Sequence, residues 1–167
     1  MNIIPYEPPM RQAALDLALR AWSPVFPQLK AAVPGFVYGA FYPEEWQKRQ
    51  LSDLGKILDN EPHTVDVAML QGQNGSETPQ LAGWVCTRIH PEDSMGEVYI
   101  LAVDPQFQRR GIGHALMDHS HDRARAAGMT MMMVETGGDP GHAPARHTYE
   151  AAGYQRWPVA RYFKNLQ

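Results

Sequence analysis

A chain of 167 residues, 44% apolar and 20% charged, has the material for one packed core, and a single domain over residues 1–167 is expected. Its net charge of −3 argues against nucleic-acid binding, no apolar run approaches the ~20 residues that span a bilayer, and MNIIPYEPPM lacks the charged and apolar regions of a signal peptide. A cytoplasmic protein with neither membrane nor nucleic-acid partners is expected. Asn2 to Tyr6 can form a first strand. After Pro8-Pro9 the spacing of Leu15, Ala18, Leu19 and Trp22 predicts an amphipathic helix that Ser23-Pro24 stops. Pro24 to Pro43 reads as an irregular segment, because Pro24, Pro27, Pro34, Gly35 and Gly39 interrupt Phe26, Phe36, Tyr38, Phe41 and Tyr42. It is more aromatic than a solvated linker, so it walls a pocket, caps the core, or does both.

Trp46, Gln50, Leu54, Ile57 and Leu58 mark a second helix over Glu44 to Asp59. Val65 to Leu70 and Leu81 to Ile89 then read as a hairpin joined by the turn-forming GQNGSETPQ. Cys86, the only cysteine, lies in the apolar run AGWVCTRI and reads as buried packing. A turn over His90 to Gly96 precedes a strand from Glu97 to Val103, a helix from about Gly111 to Ala127 ended by Gly128, and a strand from Thr130 to Glu135. Strand, helix and strand form a βαβ crossover, which puts the turn after the first strand at the ligand-facing edge of the sheet. Met131 to Met133 read as core filling. A last helix from Ala143 to Ala152 is closed by Gly153, and Tyr154 to Trp157 and Val159 to Lys164 read as terminal strands around Pro158. The class is α/β, with a mixed central sheet of about seven strands flanked by about four helices.

The chemistry concentrates in EVYILAVDPQFQRRGIGHAL, Glu97 to Leu116. Its glycines and arginines set a row of backbone N–H groups at the start of a helix, an arrangement that binds phosphate. There is no GxxxxGK[ST], hence no lysine for a terminal phosphate and no hydroxyl for magnesium. The dinucleotide pattern GxGxxG fails at Leu116, and Glu135 is a weak candidate for a ribose reader. What remains is Q-x-x-G-x-G after V-D-P, followed by a helix ending in Tyr-Glu-Ala-Ala-Gly-Tyr.

These two motifs, in this order, resemble the GNAT superfamily of acetyl-coenzyme A dependent N-acetyltransferases. The resemblance is strong over Glu97 to Gly113 and Ala145 to Tyr154; the first 95 residues match only in layout. It implies a GNAT-like fold and acetyl-CoA as co-substrate. By that resemblance, backbone groups of Leu101, Ala102 and Val103 bond the pantetheine arm, with the Leu101 N–H polarising the thioester carbonyl. Amides of Arg109, Arg110, Gly111, Gly113 and His114 hold the pyrophosphate, and the Gln108 side chain fixes the turn. Glu97 matches the general-base glutamate of the histone-acetylating branch, acting directly or through water, and Tyr149 matches the tyrosine that protonates the departing thiolate. His142 stands where many members carry an asparagine that contacts pantetheine; a hydrogen bond to that arm and a substrate or acid–base role are both left open.

The remaining histidines show no metal-ligand spacing, since His119 and His121 point different ways on a helix, and no metal is expected. Residues 1–100 carry 12 acidic against 7 basic side chains, residues 101–167 carry 6 against 8. An acidic half with aromatics suits a cationic small amine, an aminoglycoside or polyamine, with Trp22, Tyr38 and Glu97 as its binding residues. Two alternatives stand beside it: acetylation of a protein N-terminus or lysine, and a non-catalytic acyl-CoA binding module. A homodimer is left open.

Overall fold

The computed structural model describes residues 1–71 and 79–167, so the hairpin connection at 72–78 lies outside the described residues. Five strands form one sheet in the order β1 (Asn2–Pro5), β2 (Val65–Leu70), β3 (Gln80–His90), β4 (Met95–Val103) and β5 (Met131–Val134). The first three pairings are antiparallel, and β4 with β5 is parallel, closed by α5 (Ile112–Ala126) as the crossover. Among the described residues no helix is long and apolar enough to cross a membrane.

Strand alternation gives the sheet two apolar faces, each covered by helices. Trp84, Cys86 and Ala102 point to one face and pack against α1 (Arg11–Trp22) and α4 (Trp46–Asn60), which contribute Ala14, Leu17, Leu54 and Leu58 at helical spacing. The fully buried Trp84 donates its indole N–H to the Ala14 carbonyl at 3.1 Å, joining sheet and helix by more than contact. On the other face Val85 and Val98 pack under Ile112 and Leu116 of α5. Each such side chain fully buried is worth roughly 1.5–3 kcal/mol. Cys86 is buried, and burial pushes its thiol up, as suits a packing residue.

Two expectations are corrected. The segment Pro24 to Pro43 is helical, as α2 (Val25–Ala32) and α3 (Gly35–Phe41). Pro24 and Pro34 are their N-cap residues and Pro27 sits in a first turn, where no helical N–H is lost, so the prolines start these helices. The helix count among the described residues, with α6 (Ala143–Ala151), is therefore six rather than about four. The terminal strands are the second correction: residues 154–167 form no strand, which leaves five strands among the described residues instead of about seven. Trp157, Val159, Tyr162 and Leu166 are 79–90% exposed. Residue alternation fits a sheet surface but supplies no edge to pair with, and Pro158 removes a donor. Of the three methionines read as core, Met132 of β5 packs, partly buried, against the cluster on the α5 face while Met131 is 52% exposed.

Candidate active site

The site arises where β4 loses one neighbour before the other. Its ladder with β3 runs to Val103, whereas its ladder with β5 stops at Val98 opposite Val134. A bulge accompanies the parting: Thr87 pairs with Val98 and Cys86 with Ile100, so Tyr99 has no opposite number. The Asp104 N–H reaches the Ala82 carbonyl at 2.9 Å, which by strand alternation turns the Ala102 N–H toward β3 as well. Leu101 and Val103 consequently direct their N–H groups into the gap. Of the three residues expected to offer backbone, Ala102 is thus the one whose peptide is already committed to the sheet.

Beyond the gap the chain makes the glycine turn. Asp104, 3% exposed, caps it by accepting the Gln106 N–H at 3.0 Å, and its other oxygen binds Arg20 of α1 at 2.6 Å. The Gln108 amide donates to the Val103 carbonyl at 3.3 Å. Arg109 and Gly111 both have left-handed backbone, φ +60° and +79°, and Gly111 caps α5 with no side-chain bond. A Cβ on Gly111 would meet open space, so its glycine is required by the backbone angle. The first N–H groups of α5, at Ile112, Gly113 and His114, emerge beside this turn without helical partners, at the positive end of the helix dipole.

Turn and gap open into one cleft of about 1620 Å³. Every site residue expected from the sequence borders it except Arg110, whose guanidinium lies over the Phe107 ring at 5.5 Å. Glu97 borders it from β4 and Tyr149 from α6. The Glu97 carboxyl is 13% exposed and bonded to His90 Nε2 at 2.8 Å, which fixes its orientation. Burial pushes the Tyr149 phenol up, so it holds its proton through neutral pH. Trp22 and Tyr38 border the same space; Tyr38 stacks at a tilt on Tyr42, 4.8 Å between centroids, and Lys30 lies 5.6 Å from the Tyr38 ring. The aromatic segment therefore both walls the cleft and packs the core, since Phe26 is buried and stacks on Trp46 at 4.0 Å.

His142 borders the cleft too, with its Nδ1 2.6 Å from Asp139 Oδ2. The sequence reading missed Asp104, His90 and Asp139. Asp139-Pro-Gly-His carried a local signal, an Asx cap before a proline-started turn. His90 lies seven residues from Glu97 across a hairpin, and only strand register brings them together. His119 contacts Asp66 at 3.2 Å and His121 the Tyr154 hydroxyl at 2.8 Å, so they do diverge. Among the described residues His, Cys, Asp and Glu side chains form no group of three that could hold a metal. A cradle of free N–H groups, an unpaired strand edge and an open space beside Gly111 suit an extended ligand that carries phosphate at one end.

Comparison with known proteins agrees with this geometry. The sequence model of the acetyltransferase (GNAT) family matches residues 35–154. A mycothiol acetyltransferase of Rhodococcus jostii is 27% identical over 148 residues, 85% of this chain and 47% of the relative. The chain spans less than half the length of the first curated relatives it matches. Among solved structures, a protein described as an acetyltransferase of the GNAT family from Desulfovibrio desulfuricans superimposes with a TM-score of 0.62 at 19% identity, covering 95% of this chain and 87% of its own. An aminoglycoside N-acetyltransferase solved with CoA gives 0.62 at 15% identity, over 99% and 95%. At these identities the structural likeness speaks for the fold.

Proposed function

Because the chain belongs to the acetyltransferase (GNAT) family, we propose that it transfers acetyl from acetyl-CoA to a primary amine of a cationic small molecule, an aminoglycoside or polyamine, by direct attack in a ternary complex. The observation that carries this reading is that Glu97 and Tyr149 border one cleft, and that the free edge of β4 and the α5 turn border it as well. Amides of Arg109, Gly111, Gly113 and His114 receive the pyrophosphate, and the β4 edge takes the pantetheine arm. The acetyl thioester supplies the electrophilic carbon. The Leu101 N–H draws charge onto the carbonyl oxygen, a preorganised donor of the kind that contributes most in acyl transfer. Glu97, oriented by His90, takes a proton from the ammonium so that its nitrogen can attack, and Tyr149 gives its phenol proton to the departing sulfur.

A cationic acceptor is favoured by the Glu97 carboxylate and by Trp22 along the cleft, whereas Glu135 already pairs with Arg161 at 3.2 Å and the Tyr38 and Tyr42 rings already carry Lys30 and Arg49 over them. The size of the cleft, about 1620 Å³, favours a second reading, an extended peptide carrying a free N-terminus or lysine. Thiol release from acetyl-CoA with kanamycin, spermidine and two such peptides tests both. Turnover of kanamycin or spermidine well above the peptides is expected. Turnover of peptides alone would replace the first reading with the second, and CoA binding with no transfer to any amine would leave a binding module.

A further inference from the structure

His142 is held more firmly than a cofactor contact requires. Its Nδ1 is 2.6 Å from Oδ2 of Asp139, a carboxylate with 6% of its side chain exposed, whose Oδ1 accepts the Gly141 N–H at 3.0 Å. Arg146 closes the loop by donating to the carbonyls of Gly137 at 2.6 Å and Asp139 at 2.8 Å. The pair occupies the volume that a Cβ on Gly137 would need: that carbon would lie 2.6 Å from His142 Nδ1. A Cβ on Gly141 would lie 2.8 Å from the Val25 carbonyl, so the loop also sits tight against α2. An ionised carboxylate only accepts hydrogen bonds, so Nδ1 is the donor to Asp139, and in the neutral imidazole of that tautomer the lone pair is on Nε2. Among the described residues Nε2 has no hydrogen-bond partner, and the ring borders the cleft.

We propose that Asp139 and His142 form a second proton-accepting pair for acetyl transfer, a role that rests on the amine-acetylating reading above. An ammonium must lose two protons to become an amide. Glu97 takes the first, before attack. As the nitrogen lone pair forms the C–N bond and the carbonyl π pair moves to oxygen, the second N–H proton passes to His142 Nε2, and Asp139 stabilises the resulting imidazolium. The carbonyl then re-forms, the C–S bond breaks with its electron pair on sulfur, and that sulfur takes the Tyr149 proton. The imidazolium returns a proton to the Tyr149 oxygen through water, so one proton is released per turnover. His142 is the catalytic residue in this scheme and Asp139 the positioning one.

Two substitutions separate this role from simple cofactor binding. His142→Asn keeps a hydrogen-bonding group without a transferable proton. Asp139→Asn keeps an oxygen for the Gly141 N–H but presents an amide donor to Nδ1, which forces the proton onto Nε2. The CoA Kd is expected to stay within about threefold of wild type in both, while kcat at saturating acetyl-CoA, with the best amine of the kanamycin, spermidine and peptide panel, falls about a hundredfold. Nitrogen-15 NMR of the imidazole should show Nδ1–H in the wild type and Nε2–H in Asp139→Asn. Added imidazole should restore part of the turnover of folded His142→Ala, which tests the pair even if Asp139→Asn disturbs its loop. A tenfold weaker CoA Kd with unchanged kcat would assign His142 to the pantetheine arm and overturn the proposal. Unchanged kcat in both variants, an Nε2–H wild type, or no rescue by imidazole would overturn it as well. Wild-type turnover with unaffected variants sinks the pair alone; CoA binding with no wild-type turnover on any amine sinks the functional reading and the pair with it.

Discussion

Tyr149 shows how a single side chain is prepared by its surroundings. Burial makes the phenolate costly, so the ring keeps its proton at neutral pH and offers it into the cleft. Tyr154 beside it is pushed up to about 12 by burial and by Tyr149, 6.1 Å away between ring centroids. Replacing Tyr149 with Phe removes one oxygen and leaves the packing. We expect kcat to fall ten- to ten-thousandfold with CoA Kd within about threefold of wild type, read by steady-state kinetics and calorimetry. Unchanged kcat would remove Tyr149 from the acid role. The motif around Tyr149 was readable because its spacing is local, confined to α6 and the three residues after it, whereas His90, which orients Glu97, is joined to it only through strand register.

At the scale of elements the glycine turn makes two separable demands. Gly111 answers to backbone conformation; Gly113, inside α5, does not, and a Cβ there would touch only Val103 Cγ2 at 3.6 Å. Gly113→Ala should therefore stabilise the ligand-free protein by about 0.5 kcal/mol, since alanine loses less conformational freedom in a helix. The same methyl enters the space beside the free N–H groups, so the CoA Kd should rise at least tenfold. Thermal melts and calorimetry on one preparation check both signs. A more stable variant with unchanged CoA affinity would move the phosphates away from Gly113. The turn itself was legible because its geometry is local, set by residue types over six positions. The two helices α2 and α3 were misread for a related reason: a proline breaks a helix or begins one according to its position, and only the first turn actually formed says which.

Across the whole molecule, distant segments are tied by single polar contacts laid over the core. His121 of α5 bonds the Tyr154 hydroxyl at 2.8 Å, after α6, and 16% of its side chain is exposed. Burial holds this imidazole below its ordinary value; Asp118 and Asp122 oppose that, while Arg125 and His114 reinforce it. The unfolded chain therefore binds a proton here at pH values where the native state does not. Stability from this site is fully present above the ordinary histidine value of ~6.5 and is lost as pH falls below it toward the native value. Denaturant midpoints measured from pH 5 to 8 should rise with pH over that window, and His121→Asn should flatten the rise. An equal slope in the variant would place the titrating group elsewhere.

The chain by itself determined what depends on neighbours in sequence: the apolar periods of α1, α4 and α5, the βαβ crossover, and a phosphate turn whose missing residues excluded other nucleotide sites. These features follow from side-chain period and backbone stereochemistry, which act over a few residues. Tertiary structure decided what depends on pairing between distant segments. It ended the β4–β5 ladder at Val98 and so freed the N–H groups of Leu101 and Val103, and it set Arg20 against Asp104 across 84 positions. It also denied the terminal alternation of residues 154–164 a sheet edge. A strand becomes a strand, and a peptide becomes a free donor, only through the neighbour it gains or lacks, and that neighbour is chosen by the packing of the whole chain.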